Sequence, residues 1–201
     1  MNIKKHIPNA LTCGNLLSGC IGIVYAFNSE LKMVAFFVLI SGVLDFFDGF
    51  AARLLNVKSE IGKELDSLAD VISFGFLPGV LIFQMLQNLQ FGNWSYIGFL
   101  ITIFSALRLA KFNIDTRQTQ DFIGLNTPTN TFFIISLPWL IEDYPVINNE
   151  YLFLAITLIT SYLLISELKL FSLKFNGLAW ESNKYKFMLI IISIVLLAFI
   201  K

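Results

Sequence analysis

Apolar residues in this chain come in long, nearly unbroken runs separated by short polar connectors, unlike the spaced stripes of a soluble helix. Seven runs are candidates for crossing a bilayer: about residues 10–27, 31–54, 63–88, 94–112, 127–141, 150–166 and 186–200. Several are near the short limit for a span, so tilt or partial burial is expected. Residues 4–8 are polar and basic enough to lie at the membrane surface before the first span. The pattern predicts an all-α, polytopic transmembrane bundle of about six to seven spans with a short N-terminal interfacial segment. The length suits one domain, residues 1–201. Glycines scattered through the first four runs (Gly19, Gly22, Gly42, Gly75, Gly79, Gly98) would let helices approach closely.

Composition agrees. Hydrophobic residues make up 56% of the chain, with 21 Phe and a mean hydropathy of +0.73, well above a soluble domain. Acids and bases balance at 14 each, so net charge points to no nucleic-acid partner. Placement of charge is more informative than its sum. Of the 14 Lys and Arg, only Lys32 and Lys201 fall on one side of the predicted topology. Lys4, Lys5, Arg53, Lys58, Lys63, Arg108, Lys111, Arg117, Lys169, Lys174, Lys184 and Lys186 share the other side, which the positive-inside rule puts in the cytoplasm with the N-terminus. The opposite connector, with Glu142, Asp143 and Glu150, is acidic.

Minor signals change little. Leu17-Ser18-Gly19-Cys20 resembles a lipoprotein cleavage box, but Asn9, Thr12 and Asn15 make a poor signal core, and the apolar run continues to Phe27. Cys13 and Cys20, seven apart on one helix, cannot pair and are expected to be buried small hydrophobes. His6 has no Cys or second His beside it and is expected at the interface rather than on a metal. The connector over residues 167–185 alternates bases and aromatics, with Trp180 and Tyr185 suited to the headgroup layer.

One stretch breaks the avoidance of charge. Residues 45–70 carry Asp45-x-x-Asp48-Gly49-x-x-Ala52-Arg53, eight residues, then Gly62-x-x-x-Asp66-x-x-x-Asp70. Asp45 and Asp48 share one helix face, as do Asp66 and Asp70. With residues 56–59 as a polar break, a helical hairpin would bring both acidic faces to one level. A charge at a helix centre in the membrane costs roughly 2.5–3.5 kcal/mol, so intramembrane acids are functional by default. Four such carboxylates repel one another unless a multivalent cation lies between them. Oxygen ligands without Cys or His favour Mg²⁺, with Mn²⁺ also suitable.

This spacing resembles the signature of the CDP-alcohol phosphotransferases, membrane enzymes that build phospholipids from CDP-activated lipids, and all eight signature positions match. The resemblance implies a multi-pass enzyme of the cell (inner) membrane, with its active site on the cytoplasmic side and two divalent ions. Carried over by position, Asp45 and Asp66 would bridge both ions, Asp48 would complete one, and Asp70 would complete the other and take the proton of the attacking hydroxyl. Gly49 and Ala52 would let the nucleotide of CDP-diacylglycerol approach, Arg53 would pair with its pyrophosphate, Ser59 would add a weaker contact, and Gly62 would let the second helix begin close to the ligand. Pro8-Asn9-x-x-Thr12 resembles the family's first transmembrane segment, where Asn9 and Thr12 would lie beside the nucleotide; an ordinary helix start with Asn9 as cap is the simpler alternative.

Three segments narrow the acceptor. The opening IPNALT, residues 106–113 and residues 124–128 all resemble the membrane-integral phosphatidylserine synthase branch of that family, with Asn126 where proline is usual. This implies L-serine as acceptor, with Arg108 and Lys111 available for its carboxylate or a lipid phosphate, or else as interfacial anchors. Glycerol-3-phosphate or inositol phosphate are alternative acceptors. A cation transporter is the alternative of another class, and it would spread its acids across the membrane. A homodimer is also implied by the resemblance.

Overall fold

The structure is a computed structural model and describes residues 6–57, 59–115, 122–170 and 184. Six helices account for nearly all of these residues: α1 (His6–Phe27), α2 (Leu31–Leu54), α3 (Glu60–Asn88), α4 (Gly92–Ile114), α5 (Thr127–Asp143) and α6 (Glu150–Ile165). They match the first six predicted spans; residues 186–200, like Lys4, Lys5 and most of the 167–185 connector, lie outside the described residues. The four helices α1 to α4 are long and apolar enough to cross a membrane. Helices α5 and α6, with 17 and 16 residues, reach only about 25 Å at 1.5 Å per residue. The chain is already helical at His6, so Asn9 lies within α1 and is not its cap.

The first helix is packed polar side inward, while the later half of α3 sits in an apolar core with Phe74, Leu77, Leu81 and Ile82. Helix α1 buries Thr12, Asn15, Ser18, Gly19, Gly22 and Ala26, while Leu17 and Val24 face outward. In lipid, apolar surface gains nothing from being hidden, so small and polar residues take the helix contacts. Cys13 and Cys20 are accordingly exposed on the outer face, which corrects the expectation that they are buried. Helix α3 is the central element. Of its apolar window 67% is buried, against 22% for α2, so α3 is largely enclosed by other helices whereas α2 is exposed along most of its length.

Glycines set the spacing around α3, as expected. A Cβ on Gly19 would run into Ser73, and one on Gly22 would approach Leu77 Cδ1 to 2.6 Å. A Cβ on Gly98 would lie 2.8 Å from the Phe83 backbone nitrogen and 3.0 Å from the Gly79 carbonyl, so α4 sits nearly backbone to backbone on α3. Gly42 differs, since its nearest neighbour is a Phe132 ring atom at an ordinary 3.5 Å.

Directly after Asp70, α3 passes through a π-helical turn, Ile72–Phe76. The wider turn loosens the backbone ladder, and neighbouring hydroxyls take up its carbonyls. Thr131 Oγ1 donates to Phe74 O at 2.9 Å, and Thr102 Oγ1 donates to Gly75 O at 3.1 Å. The one extra residue turns the later half of α3 by about 100° relative to an unbroken helix. The acids and the apolar core below them are thereby aimed separately.

Beyond α4 the chain returns through a two-residue antiparallel pairing, β1 (Phe122–Ile123) with β2 (Lys169–Leu170). Gly124 has a φ of +74°, and a Cβ there would lie 2.8 Å from Ser166 O, so only glycine fits this contact with the end of α6. Asn126, at the position where proline was the expected residue, caps α5: its side chain accepts from Thr129 N at 2.8 Å.

The Gly98 contact generates a test. Gly98→Val forces the α3 and α4 backbones apart and is expected to cost about 1–3 kcal/mol, the range for overpacking. Thermal unfolding in detergent, compared with Gly42→Ala as a tolerant control, measures it.

Candidate active site

The site forms where α2 ends and α3 begins. After Leu54 the chain turns through residues 55–59, with Asn56 at a φ of +50°. Ser59 then caps α3, its hydroxyl accepting from Gly62 N at 3.1 Å. Helix α1 packs against both α2 and the first turns of α3, and across this junction the two helices present their acids to each other.

Asp45, Asp48 and Asp66 each offer a carboxylate oxygen within 4.8 Å of the other two. The Asp45 side chain also lies within hydrogen-bonding reach of both Asp66 and Asp70. All four sequence-predicted acids are thus in one cluster, with Asp70 deepest along α3. Asp48 is 6% exposed and Asp70 9%, a degree of burial that carboxylates reach only when paired or ligating. Helix α1 supplies donors: Thr12 Oγ1 donates to Asp48 Oδ2 at 2.6 Å, and Asn15 Nδ2 donates to Asp70 Oδ1 at 3.3 Å. Crowded carboxylates, two of them anchored by an outer hydrogen bond, fit a hard divalent cation.

Beside the cluster opens a cavity of about 630 Å³. Asn9 and Thr12 of α1, Asp48, Gly49 and Ala52 of α2, and Ser59, Gly62, Lys63 and Asp66 of the turn and α3 all line it. Gly49 has no atom within 4 Å of where a Cβ would stand, so its backbone faces open space. Gly62 is different: a Cβ there would lie 2.9 Å from Asn9 Oδ1, so its missing side chain makes room for Asn9. Ser59 serves first as the cap of α3. Arg53 is exposed and outside the cavity lining, with its Nε donating to Gly49 O at 3.1 Å.

Arg108 and Lys111, adjacent on α4, go separate ways. Arg108 is 7% exposed, its guanidinium 5.8 Å from the centre of the Phe112 ring and within electrostatic reach of Asp70. Lys111 is exposed and pairs with Glu167 at 3.4 Å. The space between them is a pinched void of about 10 Å³, room for no more than a water molecule.

Two site residues escaped the sequence reading. Lys63 lines the cavity, and its Nζ donates to Asn113 O at 2.7 Å, tying α3 to α4. Asn15 is fully buried against Asp70. A signal for Asn15 existed: Asn9, Thr12, Asn15 and Ser18 recur every third residue in an otherwise apolar helix, a polar stripe that must face protein. Nothing in the pattern separates Lys63 from an ordinary interfacial lysine.

Fold and site together define an integral membrane protein whose helix hairpin holds four facing carboxylates beside a cavity. The profile of the CDP-alcohol phosphatidyltransferase family matches residues 5–165, and the chain belongs to that family of phosphotransferases. A CDP-diacylglycerol–serine O-phosphatidyltransferase of Helicobacter pylori (strain ATCC 700392 / 26695) is 34% identical over 193 residues, covering 94% of this chain and 80% of the relative. The protein of the same name from Bacillus subtilis (strain 168) is 34% identical over 170 residues, covering 82% of this chain and 89% of the relative. An archaetidylserine synthase of Methanothermobacter thermautotrophicus is 30% identical over 167 residues, 79% of this chain and 70% of the relative.

The cluster makes a direct prediction. Asp45, within reach of both Asp66 and Asp70, is the residue whose loss disturbs the whole group. Asp45→Asn is expected to weaken Mn²⁺ binding at least about tenfold, read by titration of the purified protein in detergent. Unchanged affinity would place the ion elsewhere.

Proposed function

We propose that this protein transfers the phosphatidyl group of CDP-diacylglycerol to the hydroxyl of L-serine and releases CMP, at the cytoplasmic surface of the cell (inner) membrane. The observation that carries this reading is the four-carboxylate cluster of α2 and α3, opening onto a cavity of about 630 Å³ beside an unobstructed Gly49 backbone. The serine relatives, aligned over most of the chain, support the acceptor.

In the reaction the serine oxygen attacks the phosphorus on the lipid side of the pyrophosphate. A new P–O bond forms, the P–O bond to CMP breaks, and the serine proton leaves. Asp70 would accept that proton: it is buried, and among the described residues only one of its oxygens has a donor, from Asn15. Asp45, Asp48, Asp66 and Asp70 would hold two divalent ions, Mg²⁺ or Mn²⁺. Such a pair supplies charge neutralisation at the phosphoryl oxygens and the leaving phosphate. Thr12 steadies Asp48 at 2.6 Å. Gly49 and Ala52 leave space for the cytidine, with Asn9, Ser59 and Gly62 on the opposite wall. Lys63 adds a positive charge at the cavity that Arg53, turned outward on α2, reaches only by swinging its side chain. Buried Arg108, near Asp70, is suited to a serine carboxylate; Lys111 is suited to the membrane surface.

The orientation rests on the distribution of basic residues, and the site lies at the basic end of the bundle. Water-soluble serine and CMP would pass through the cytoplasmic face while the acyl chains remain beside the lipid-facing helices. The resemblance also supports a homodimer.

CMP release from CDP-diacylglycerol with Mg²⁺ and a panel of alcohols tests the reading: serine is expected to drive turnover, and no CMP with any alcohol would remove it. Asp70→Asn is expected to abolish turnover and keep CDP affinity within about threefold, because the change spares the cavity wall. Gly49→Leu is the mirror case. A Cβ there has no atom within 4 Å and leucine is a better helix former, so stability is expected to hold or rise by up to about 1 kcal/mol, while CDP binding is lost. Calorimetric titration with CDP reads both variants.

A further inference from the structure

Asn15 is the most deeply buried polar side chain beside the acids, with no exposed surface. Its Nδ2 donates to Asp70 Oδ1 at 3.3 Å. Its backbone carbonyl is held from two other helices, accepting from Ser41 Oγ of α2 at 3.3 Å and from Ser73 Oγ of the π turn at 3.1 Å. Its own Oδ1, in contrast, is enclosed and has no hydrogen-bond partner. Stability does not account for this. An unpaired buried amide oxygen is destabilising, so what this side chain contributes is its N–H, which reaches Asp70.

We propose that Asn15 is a positioning residue for Asp70. The terminal torsion of an aspartate is broad and roughly twofold, so a carboxylate without an anchor turns between orientations. The amide N–H of Asn15 occupies Oδ1 and leaves Oδ2 unengaged by it, while Asp45 stands within reach of the same carboxylate. The anchor is itself immobile, because the two serine hydroxyls pin its backbone where α1, α2 and α3 meet. Asp70 therefore keeps one orientation whether or not a ligand fills the cavity. This rests on the role proposed for Asp70 above, and it adds the part of α1 that makes that role possible.

The test uses the full-length protein in detergent, with Asn15→Leu and the smaller Asn15→Ala, so that a folding failure of one leaves the other. Four quantities are read: thermal midpoint, CDP affinity, Mn²⁺ titration, and kcat with KM for serine. The expected result is a kcat lowered about 10–100-fold, the usual effect of losing a partner of a ligating carboxylate. KM and CDP affinity stay within about twofold, and the protein remains folded at the assay temperature, so the fall in kcat exceeds what any shift in midpoint accounts for. In the Mn²⁺ titration the weaker of two binding steps is expected to shift by about tenfold, and Asn15→Leu adds nothing when Asp70 is already Asn. Two results would overturn the proposal. One is a kcat and Mn²⁺ profile matching the unmodified protein. The other is a loss of activity that tracks a falling midpoint and CDP affinity, which marks Asn15 as packing alone. If the unmodified protein releases no CMP with any alcohol, the proposed reaction fails, and the Mn²⁺ titration still decides the role of Asn15.

Discussion

Carboxylates carried on membrane helices cannot be left facing lipid, and they cannot be pressed together without something to offset their repulsion. That double constraint organises this bundle. Asp45 and Asp48 on α2 can avoid lipid only by turning toward a neighbour, and the neighbour they find, α3, carries Asp66 and Asp70 at the same depth. Helix α1, packed against both, holds the two acidic faces toward each other. What remains is to supply donors for the oxygens that face away from the cluster, and α1 does so with Thr12 and Asn15.

The same constraint explains why α1 is packed with its small and polar residues inward. Hydroxyls of Ser41, Ser73, Thr102 and Thr131 go to backbone carbonyls of neighbouring helices, and glycines bring those helices within reach. In water the burial of Leu and Phe would dominate such an assembly. In lipid that gain vanishes, and close backbone approach with satisfied polar groups is what distinguishes one arrangement of helices from another. The π turn at Ile72–Phe76 belongs to this scheme. It lets a single helix aim its acids at α2 and its apolar residues at α4 and α5, two directions that a regular helix of this sequence would not reach together.

A site built this way stands at the boundary of two solvents. The cavity beside Gly49 is bounded on one side by the polar turn with Ser59 and Lys63, and α2 carries Phe46, Phe47 and Phe50 on its outer surface. A substrate with a charged head and a fatty tail can therefore engage both without leaving either phase. Rigid positioning matters more here than in a soluble enzyme, because the low-dielectric surroundings strengthen every misplaced charge along with every well-placed one.

The sequence by itself determined the helical membrane bundle, the first six helices, and the identity and level of the four acids. These are local properties: an apolar run long enough to span must be helical, and acids three and four residues apart must share a face. It did not determine which face of each helix looks inward, because residues facing lipid are as apolar as those in the core. That is why Cys13 and Cys20 were misplaced and why Asn15 went unread. It also did not separate Arg108 from Lys111. Three residues apart on α4, they are equivalent in the pattern, and only the packing of α3 and α6 sends one toward Asp70 and the other to Glu167. Depth along a helix is written in the chain; direction around it is decided by the neighbours.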